Sequence, residues 1–462
     1  MEPRSLKYIA DSCDGELLNG SPSASVTRLC TDSRQARAGD LFIALSGERF
    51  DGHDFLDEVI GRKVAAVLVE RDKVPGDNIA CGVIAVPNTR IALGRLGAGY
   101  RQDFSLPVVA VGGSNGKTTT KELIGSVLSQ RFKTVRSAAS FNNEIGVPLT
   151  LLELNNSTQA AVLEVGTNHP GELAPLVRMI QPEFGVITCV GREHLEFFGD
   201  VGGVAEEEGW LAELLPEHGR LFINGDSPKS DDIARRSRAG VTRVGFDRRN
   251  DWRAHGLRPD EAGVSFQVET NDAAFIGEYR VNLLGRHQVT NALLALAVGA
   301  ALNLSREEMR GGLADCQPGK MRLQVWRIGG VRILDDAYNA NADSVLAALN
   351  TLREFPCEGR RVAVLGDMAE LGDHCAEAHA EVGRRAAELK LDQLFAVGAM
   401  AGVMGAAARA AGLRGVNELR EVESAANAVN RFVRDGDVVL LKASRSTRLE
   451  RVGEVLRNHG QS

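Results

Sequence analysis

The most informative stretch of this sequence is Val108-Val-Ala-Val-Gly-Gly-Ser-Asn-Gly-Lys-Thr-Thr-Thr-Lys-Glu122. An apolar run leads into a glycine-rich turn and then into a polar segment, which predicts a buried strand, a loop and a helix. Gly113 and Gly116 let the backbone wrap closely around an anion, so that N–H groups and the helix N-terminus face its oxygens. Lys117 supplies a positive charge near β- and γ-phosphates, and the Thr118 hydroxyl can ligate Mg²⁺. The stretch therefore predicts a site for ATP.

This loop is shorter than the general phosphate-loop pattern. The general pattern has a glycine six residues before its lysine, and that position is Val111 here. The loop is therefore a tighter variant, Gly-Ser-Asn-Gly-Lys-Thr. A glycine-rich turn with a surface lysine is the alternative, but strand, loop and helix occur in the order that phosphate binding requires.

The composition is that of a globular protein without a general affinity for nucleic acid or membranes. The chain has 462 residues, enough for about three domains, and a net charge of −7, which does not attract polyanions. The longest apolar run, residues 292–302, is too short to span a bilayer, and the N-terminus has no secretory h-region. Seven dispersed cysteines without metal-ligand spacing predict reduced thiols. We therefore expect a cytoplasmic protein that binds no nucleic acid and does not insert into a membrane.

Alternating apolar and helical segments predict an α/β fold of three domains. Residues 1–105 carry short apolar runs between turn-rich segments, which indicates a small mixed α/β domain. Residues 106–318 predict a central P-loop ATPase-type domain with a mostly parallel sheet. Residues 319–462 restart the alternation and predict a Rossmann-like, doubly wound domain.

Individual elements are predicted in the last two domains. The central strands are expected at 108–111, 161–165 and 185–190, and the helices at 117–130, 171–180 and 203–215. Residues 241–284 are β-rich in character, and residues 288–303 predict a strongly amphipathic helix. The strands of the last domain are expected at 331–334, 362–365, 393–397 and 438–441.

Further motifs resemble the Mur ligase superfamily, which includes muramyl-peptide ligases and folylpolyglutamate synthase. Within this superfamily, the motifs most resemble those of the branch that adds D-alanyl-D-alanine to UDP-N-acetylmuramoyl-tripeptide (MurF type). The matching segments occur in order between residues 31 and 452, and four of them are Ser140-Phe-Asn-Asn-Glu-Ile-Gly-Val-Pro148, Asn168-His-Pro-Gly-Glu172, Asp335-Asp-Ala-Tyr-Asn-Ala-Asn341 and Leu365-Gly-Asp-Met-Ala-Glu-Leu-Gly372.

The resemblance implies one domain each for the UDP-sugar, for ATP and for the incoming D-Ala-D-Ala, in a monomeric enzyme that uses Mg²⁺. It also implies a reaction in which ATP phosphorylates the terminal carboxylate of the nucleotide-linked peptide, and the amine of D-Ala-D-Ala then displaces phosphate from this acyl phosphate. A carboxylate is a poor electrophile, so phosphorylation creates the leaving group that it lacks. The site then needs cations directed at the transferred phosphoryl group.

The resemblance also implies roles for individual residues. The catalytic residues are Lys117, Glu164, His194 and Arg322, and the Mg²⁺ ligands are Thr118, Glu164, His194 and Glu208. The ATP-binding residues are Gly113, Ser114, Asn115, Gly116, Lys117, Thr118, Thr119, His287, Asn291, Arg322, Asp336 and Tyr338. The UDP-sugar-peptide residues are Ser33, Arg34, Phe42, Asp51, Gly52, His53, Asn142, Asn143, Thr167, Asn168 and His169, and the D-Ala-D-Ala residues are Asn339, Asn341, Lys442 and Arg445.

Several of these residues have a plainer interpretation. Glu164 ends a predicted strand, where a carboxylate points into the ligand crevice of such sheets, but it can also be a solvated strand-end charge. Asn291 can be a simple helix cap, as can its neighbour Thr290. Arg322 at the start of a strand can be a surface charge, and His194 a structural histidine.

Glu208 departs from the family pattern. Many relatives carry a lysine at this position that is carbamylated by CO₂ and helps to hold Mg²⁺. A lysine carbamate is a carboxylate on a long arm, and glutamate supplies a carboxylate directly. We therefore hypothesise that Glu208 is an acid on the metal side of the site and that no carbamylation is needed. The alternative is that residues 206–208 are three glutamates at a solvated helix start, where acids suit the dipole.

Other functions of the same superfamily stay open. The ligase that adds the third peptide residue carries an Asp-Asn-Pro-Arg motif, which is absent here, and a folate enzyme lacks the Asp-Ser-Arg segment found at residues 32–34. A nucleotide-binding relative without ligase turnover is a third possibility, although Lys117, Glu164 and Arg322 are all present. Whether the third residue of the substrate peptide is diaminopimelate or lysine is left open.

Overall fold

The computed structural model describes residues 1–47, 50–76 and 79–459, so the last three positions of the predicted third domain lie outside it. Within these ranges the strands form three main sheets, and helices pack on each of them. The predicted α/β class is confirmed. Short 3₁₀ turns connect several elements, at Ser33–Gln35, Gly52–Phe55, Arg71–Lys73, Ala273–Phe275, Gly372–His374 and Arg445–Thr447. No helix of the described ranges is long and apolar enough to cross a bilayer.

The N-terminal region has a small mixed sheet. Its elements are β1 (Arg4–Ser5), α1 (Leu6–Cys13), β2 (Glu16–Asn19), β3 (Ser25–Val26), β4 (Leu29–Cys30), β5 (Leu41–Ile43), α2 (Leu56–Gly61), β6 (Ala66–Glu70), β7 (Gly82–Val86) and α3 (Thr89–Arg101). The strand order is β2-β7-β6-β5-β4, in which only the β2–β7 pair is antiparallel, and β1 pairs separately with β3. The mixed character predicted from the sequence is confirmed.

The central region is built on a nine-stranded sheet. Its elements are β8 (Val108–Gly112), α4 (Lys117–Leu128), β9 (Thr134–Arg136), α5 (Gly146–Leu151), β10 (Ala160–Glu164), α6 (Leu173–Ile180), β11 (Phe184–Ile187), α7 (Leu195–Phe198), α8 (Val201–Glu213), β12 (Arg220–Asn224), α9 (Ser230–Ala234), β13 (Gly240–Gly245), β14 (Trp252–Asp260), β15 (Gly263–Thr270), β16 (Gly277–Val281), α10 (Arg286–Ala301) and α11 (Arg306–Asp315). The order is β16-β15-β14-β13-β12-β11-β8-β10-β9, with antiparallel pairs only among β14, β15 and β16. Strands β8 and β10 are buried along their whole length, which is typical of parallel strands covered by helices on both faces.

Two central elements differ from the prediction. Strand β11 ends at Ile187 rather than at residue 190, because the chain leaves the sheet there and the Cys189 carbonyl accepts a hydrogen bond from the phosphate loop. Helix α10 is not amphipathic, since it is buried on every side from Gln288 to Gly299. It packs against α4 and against strands β12 to β14. The amphipathic prediction was wrong because Gln288 and Asn291, near the start of α10, are buried and face the phosphate loop rather than water.

The C-terminal region has a six-stranded sheet. Its elements are β17 (Gln324–Ile328), β18 (Val331–Asp335), α12 (Ala342–Glu354), β19 (Arg361–Leu365), α13 (Cys375–Glu388), β20 (Gln393–Val397), α14 (Ala401–Ala410), β21 (Val416–Leu419), α15 (Val422–Phe432), β22 (Val438–Lys442) and α16 (Glu450–His459). The order is β17-β18-β22-β19-β20-β21, and all pairs except β17–β18 are parallel. This is the doubly wound pattern expected from the sequence.

The hydrophobic core is continuous between the first two regions. Leu6 and Tyr100 belong to the same buried cluster as Val108 and Leu163, and α3 packs on α5 and α6. Residue 105 therefore does not separate two independent cores. The exact division of the chain at residues 105 and 318 stays a prediction.

Candidate active site

The phosphate loop lies between β8 and α4, where the sequence predicts it. Gly113 and Gly116 have φ angles of 112° and 86°, in the left-handed region that favours glycine. A Cβ atom on Gly113 would lie 2.4 Å from Thr188 Oγ1, and one on Gly116 would lie 2.8 Å from Asn291 Oδ1. Both glycines are therefore required by backbone conformation and by close neighbours.

A neighbouring segment braces this loop. The Ser114 N–H donates to the Cys189 carbonyl at 2.9 Å, and the Gly191 N–H donates to Ser114 Oγ at 2.8 Å. The Asn115 N–H lies 3.3 Å from Cys189 Sγ. Residues 189–191 thus hold the loop in shape.

Lys117 is surrounded by carboxylates. Its Nζ donates to the Gly113 carbonyl at 2.5 Å and lies 3.3 Å from Glu193 Oε2. Burial lowers the pKa of Lys117, but the nearby Glu193, Glu208 and Glu164 outweigh this, and the net pKa is raised. The lysine is therefore charged and turned into the loop, where a phosphate would compete with these carboxylates for it.

Two of the carboxylates present unpaired oxygens in a buried setting. Glu164 ends β10, and its Oε1 accepts from Asn142 Nδ2 at 3.0 Å. Glu208 Oε2 accepts from the Gly113 N–H at 2.7 Å. Glu164 Oε2 and Glu208 Oε1 have no hydrogen-bond partner although both are buried. Buried carboxylate oxygens are normally paired, so these two oxygens suit a cation.

The solvated alternatives for these two acids are wrong. Glu164 is 1% exposed and Glu208 is fully buried. Glu208 also lies in the middle of α8 and not at its start. Burial raises the pKa of Glu208 to about 7, and Lys117 acts in the opposite direction. Of the other two glutamates, Glu207 accepts from the Gly171 and Leu173 N–H groups at the start of α6.

The described residues of the site do not form a complete metal cage. Among the described residues, no group of three or more His, Cys, Asp and Glu side chains is arranged to hold a metal. His194 is thus not brought into one ligand cluster with Glu164 and Glu208. Its Nδ1 lies 2.5 Å from Glu370 Oε2 instead, and burial lowers its pKa. Mg²⁺ usually takes one or two carboxylates together with substrate phosphates, so an incomplete cage still fits this ion.

Helix α10 contributes the expected polar groups, but not as helix caps. Gly285 is the N-cap residue of α10, so Thr290 and Asn291 lie inside the helix and the capping alternative is wrong. Asn291 Nδ2 donates to Gln288 Oε1 at 2.8 Å, and Asn291 Oδ1 approaches Gly116. Burial lowers the pKa of His287 to about 4, so this ring is neutral. Asn291 therefore lies beside the phosphate loop.

Arg322 reaches the central region. Its guanidinium lies 4.2 Å from the centre of the Tyr338 ring, and its Nη2 donates to Ser140 Oγ at 3.3 Å. The Tyr338 hydroxyl lies 3.0 Å from the same Ser140 Oγ. Arg322 also lines a small cavity with Thr118 and Thr119. The surface-charge alternative is therefore wrong.

The segment around Arg322 is strained. Met321 and Leu323 have φ angles of 56° and 51°, which bulky residues rarely adopt. The Leu323 N–H donates to Asp336 Oδ1 at 3.1 Å, and Lys442 Nζ lies 2.6 Å from Asp336 Oδ2. Asp336 thus supports this backbone conformation, which costs roughly 1–3 kcal/mol for each such residue.

The predicted D-Ala-D-Ala residues fall into two groups. Lys442 is 3% exposed, and its ammonium group is bound by Asp336 and by the Asn339 carbonyl, so it does not offer a free cation. Asn341 caps α12 and donates to Asn115 Oδ1 of the phosphate loop at 3.0 Å. The Asn339 side chain is exposed, and Arg445 is 58% exposed beside Glu450. Only Asn339 and Arg445 are open to a ligand as the structure stands.

The predicted UDP-side residues are only partly available. Phe42 is fully buried in the core of the first region, so its assignment to a binding pocket is wrong. A Cβ atom on Gly52 would lie 2.8 Å from the Leu45 amide nitrogen. Ser33 is half-buried, and the Arg34 guanidinium, 85% exposed, pairs with Asp32 at 2.8 Å.

His53 is structural and not free to bind. Its Nδ1 lies 2.6 Å from Asp51 Oδ1, and its Nε2 accepts from the Glu70 N–H at 3.0 Å. Asp51 also pairs with Lys73 at 2.7 Å. Burial acts to raise the pKa of Asp51, but the Lys73 ammonium and the His53 hydrogen bonds hold it well below its usual range.

The predicted muramyl-peptide residues are mostly engaged in local bonds. Asn142 orients Glu164, and Asn143 Oδ1 accepts from the Gly146 N–H at 3.0 Å at the start of α5. The Thr167 hydroxyl donates to the His169 carbonyl at 2.7 Å. The side chains of Asn168 and His169 are exposed near Glu172, whose Oε1 lies 3.0 Å from His169 Nδ1.

Family models match three consecutive parts of the chain. They are the Mur ligase family, catalytic domain, at residues 25–101, the Mur ligase middle domain at 111–299, and the Mur ligase, glutamate ligase domain at 321–445. The chain belongs to the Mur ligase family. The resemblance inferred from the motifs is confirmed.

Within the Mur ligases, several relatives are similar to this chain over nearly its full length. The UDP-N-acetylmuramoyl-tripeptide--D-alanyl-D-alanine ligase of Bacillus subtilis is 34% identical over 456 residues, which is 98% of each protein. A crystal structure of MurF from Acinetobacter baumannii is 31% identical over 99% of both chains, with a TM-score of 0.90. MurF ligase from Thermotoga maritima, in complex with ADP, is 29% identical over 94% of this chain and 98% of its own, with a TM-score of 0.82.

This Mur ligase has two site residues that the sequence did not single out. Glu193 is buried against Lys117, and burial raises its pKa to about 8 while Lys117 opposes the rise. Lys121 is fully buried, and its Nζ donates to the Ser137 and Ala139 carbonyls at 2.7 Å each. A lysine four residues after Lys117, on the same face of α4, was the only sequence signal for Lys121.

Proposed function

We propose that this protein is an ATP-dependent amide ligase that joins D-alanyl-D-alanine to the peptide end of UDP-N-acetylmuramoyl-tripeptide, a step of peptidoglycan precursor synthesis. Similarity to such ligases over 98% of the chain supports the substrate class. The geometric observation that carries the proposal is the junction at Ser140, which bonds Arg322 and Tyr338 of the third domain. Two residues later, Asn142 orients Glu164. The third domain therefore delivers a cation to the segment that holds the proposed metal acid.

The chemistry requires anions to meet without repelling each other. In the proposed reaction a peptide carboxylate oxygen attacks the γ-phosphorus of ATP, and ADP leaves. The amine nitrogen of D-Ala-D-Ala then attacks the carboxyl carbon, loses a proton and expels phosphate. Lys117 and the N-terminus of α4 would hold the phosphates during the first step, and Arg322 would supply a second positive charge.

Mg²⁺ is the proposed metal cofactor. Glu164, Glu208 and the Thr118 hydroxyl would hold it, because two unpaired buried carboxylate oxygens and a hydroxyl at a phosphate loop form a donor set suited to this ion. When bound, Mg²⁺ would neutralise charge on the β- and γ-phosphates. Glu208 would then act where many relatives use a lysine carbamate.

The two remaining substrates are assigned to the outer domains. The UDP-sugar is proposed to bind the first domain, where the Arg34 guanidinium would leave Asp32 and bind the diphosphate. D-Ala-D-Ala is proposed to bind near Asn339 and Arg445. All seven cysteines are free thiols, which supports action in a reducing cytoplasm, and we propose that the enzyme acts there as a monomer.

An ADP-release assay with defined acceptors tests the proposal. The protein receives ATP, Mg²⁺ and UDP-N-acetylmuramoyl-tripeptide, ending in diaminopimelate or in lysine, with or without D-Ala-D-Ala. ADP release that depends on D-Ala-D-Ala is expected. Release with the dipeptide precursor and a free diamino acid, or with folate and glutamate, would instead indicate one of the other ligases. Nucleotide binding without any acceptor-dependent release would indicate a non-catalytic relative.

A further inference from the structure

Residues 191–194 contact two parts of the molecule in alternation. Gly191 bonds the phosphate loop, because its N–H donates to Ser114 Oγ at 2.8 Å. Glu193 bonds the same loop through Lys117 at 3.3 Å. Arg192 lies between these two residues and His194 follows them, and both side chains contact the C-terminal region.

Arg192 makes the larger contact with the C-terminal region. Its Nε and Nη2 lie 2.9 and 2.6 Å from Asp343 Oδ1, and its backbone N–H donates to Asp343 Oδ2 at 2.7 Å. Its Nη1 lies 2.5 Å from Glu381 Oε2. His194 adds a second contact, to Glu370. One arginine therefore joins the first turn of α12 to α13, and both to the central domain.

Gly191 keeps these contacts close together. A Cβ atom at this position would lie 2.6 Å from Asp343 Oδ2 and 3.8 Å from Ser114 Cβ. The third domain and the phosphate loop thus approach the same backbone atom from two sides. Because Gly191 bonds Ser114 and lies against Asp343, a shift of the loop at Ser114 would move the backbone that Asp343 contacts.

Asp343 lies directly after the segment that faces the loop. Asn341 caps α12 and donates a hydrogen bond to Asn115 of the phosphate loop. Tyr338 and Asn339 lie just before Asn341 in the chain. Fixing the first turn of α12 therefore fixes residues 336–341. These residues include the proposed acceptor-binding side of the third domain.

We propose that Arg192 is a positioning residue that couples occupation of the phosphate loop to docking of α12, and so sets the affinity for the incoming amine. This inference rests on the proposed function only for the identity of that amine. Arg192 acts through Asp343 and Glu381, and the nucleotide is held by other residues. Its loss should therefore affect the acceptor more than ATP.

The test compares Arg192→Met and Arg192→Lys with Glu261→Gln in the full chain. Glu261 forms another contact between the same two domains, with Arg327 at 2.7 Å, at the turn between β14 and β15. Arg192→Met should raise KM for D-Ala-D-Ala about ten-fold, as expected for a lost coupling of this kind, and leave KM for ATP within about three-fold. Arg192→Lys should recover part of the loss, and Glu261→Gln should change neither constant.

Hydrogen exchange gives a second readout that needs no acceptor. Mg·ADP should slow amide exchange across residues 336–346 in the parent and in Glu261→Gln, but not in Arg192→Met. Equal protection in Arg192→Met would overturn the coupling, as would an unchanged KM for D-Ala-D-Ala. Equal KM effects of Arg192→Met and Glu261→Gln would also overturn it, since they would indicate general domain association. If the parent protein couples exchange to Mg·ADP but releases no ADP with D-Ala-D-Ala, the proposed function fails and the coupling stands.

Discussion

Replacing Glu208 with glutamine should make the metal-free protein more stable and the enzyme less active. Glu208 is fully buried, and its Oε1 has no partner. Its Oε2 accepts from the Gly113 N–H, and a glutamine oxygen can accept the same bond. The substitution therefore keeps the shape and one hydrogen bond of the side chain while removing a buried negative charge.

The pKa of Glu208 sets the size and the sign of the effect. Burial raises this pKa from 4.5 to about 7 against the opposing charge of Lys117, which corresponds to about 3 kcal/mol of lost stability once the carboxylate is ionised. Because the folded-state pKa is the higher one, the penalty is absent below about pH 4.5 and complete above about pH 7. Glu208→Gln should then gain up to about 3 kcal/mol at pH 8, or about 3–5 °C in Tm for a cooperative unit of this size, and little at pH 5.

Thermal unfolding in the presence of a chelator measures this gain at both pH values. Glu206→Gln is the matched control, because Glu206 lies on the same helix and is 75% exposed, so its substitution should change stability by less than about 0.5 kcal/mol. A loss of stability in Glu208→Gln at pH 8, or an equal gain at pH 5, would show that the buried charge of Glu208 does not destabilise the metal-free protein. Ligase activity should fall in the same variant, and intact activity with intact Mg²⁺ dependence would remove Glu208 from the proposed metal site.

Three further substitutions probe the support of the site. Lys121→Met should cost about 2–4 kcal/mol of unfolding free energy, because two buried carbonyls lose their donor, whereas exposed Lys133→Met should cost almost nothing by the same denaturant titration. Asn142→Ala should raise the Mg²⁺ concentration for half-maximal activity by about ten-fold or more, because it frees Glu164 to rotate, and an unchanged Mg²⁺ titration would contradict this. Phe42→Ala should cost about 3–5 kcal/mol of stability, as a core deletion does, and a change confined to KM for the UDP-sugar would show instead that Phe42 binds substrate.

The sheet and the phosphate loop could be predicted because their signals are local. Buried parallel strands appear as continuous apolar runs, and the glycines of the loop are required by backbone angles that few other residues adopt. The same local signals gave the three regions and their order. The predicted ends of helices and strands were less accurate. Strand β11, for example, ends where the phosphate loop, which is remote in sequence, forms a hydrogen bond with the backbone that follows the strand.

Side-chain partners could not be predicted, because they depend on contacts between remote segments. Asn142 and Lys442 were assigned to substrates, yet both orient a carboxylate of the protein itself. His53 has both ring nitrogens occupied for the same kind of reason. A family motif identifies such residues as important, but it does not distinguish a group that touches the ligand from one that supports it.

Helix α10 illustrates a second limit. Its alternation of polar and apolar residues near Gln288 and Asn291 predicts a solvated face. In the structure those polar groups face the phosphate loop, and the rest of the helix is covered by α4 and the sheet. The sequence shows that the start of this helix carries polar side chains, but not whether water or a ligand site lies beside them.

The most direct measurement is the D-Ala-D-Ala-dependent release of ADP by Lys117→Ala. Because Lys117 is proposed to hold the phosphates of ATP, the variant should fold, as judged by its thermal transition, and release ADP at least about a hundred-fold more slowly than the parent. A folded Lys117→Ala protein that forms product at the parental rate would show that Lys117 does not hold the transferred phosphate.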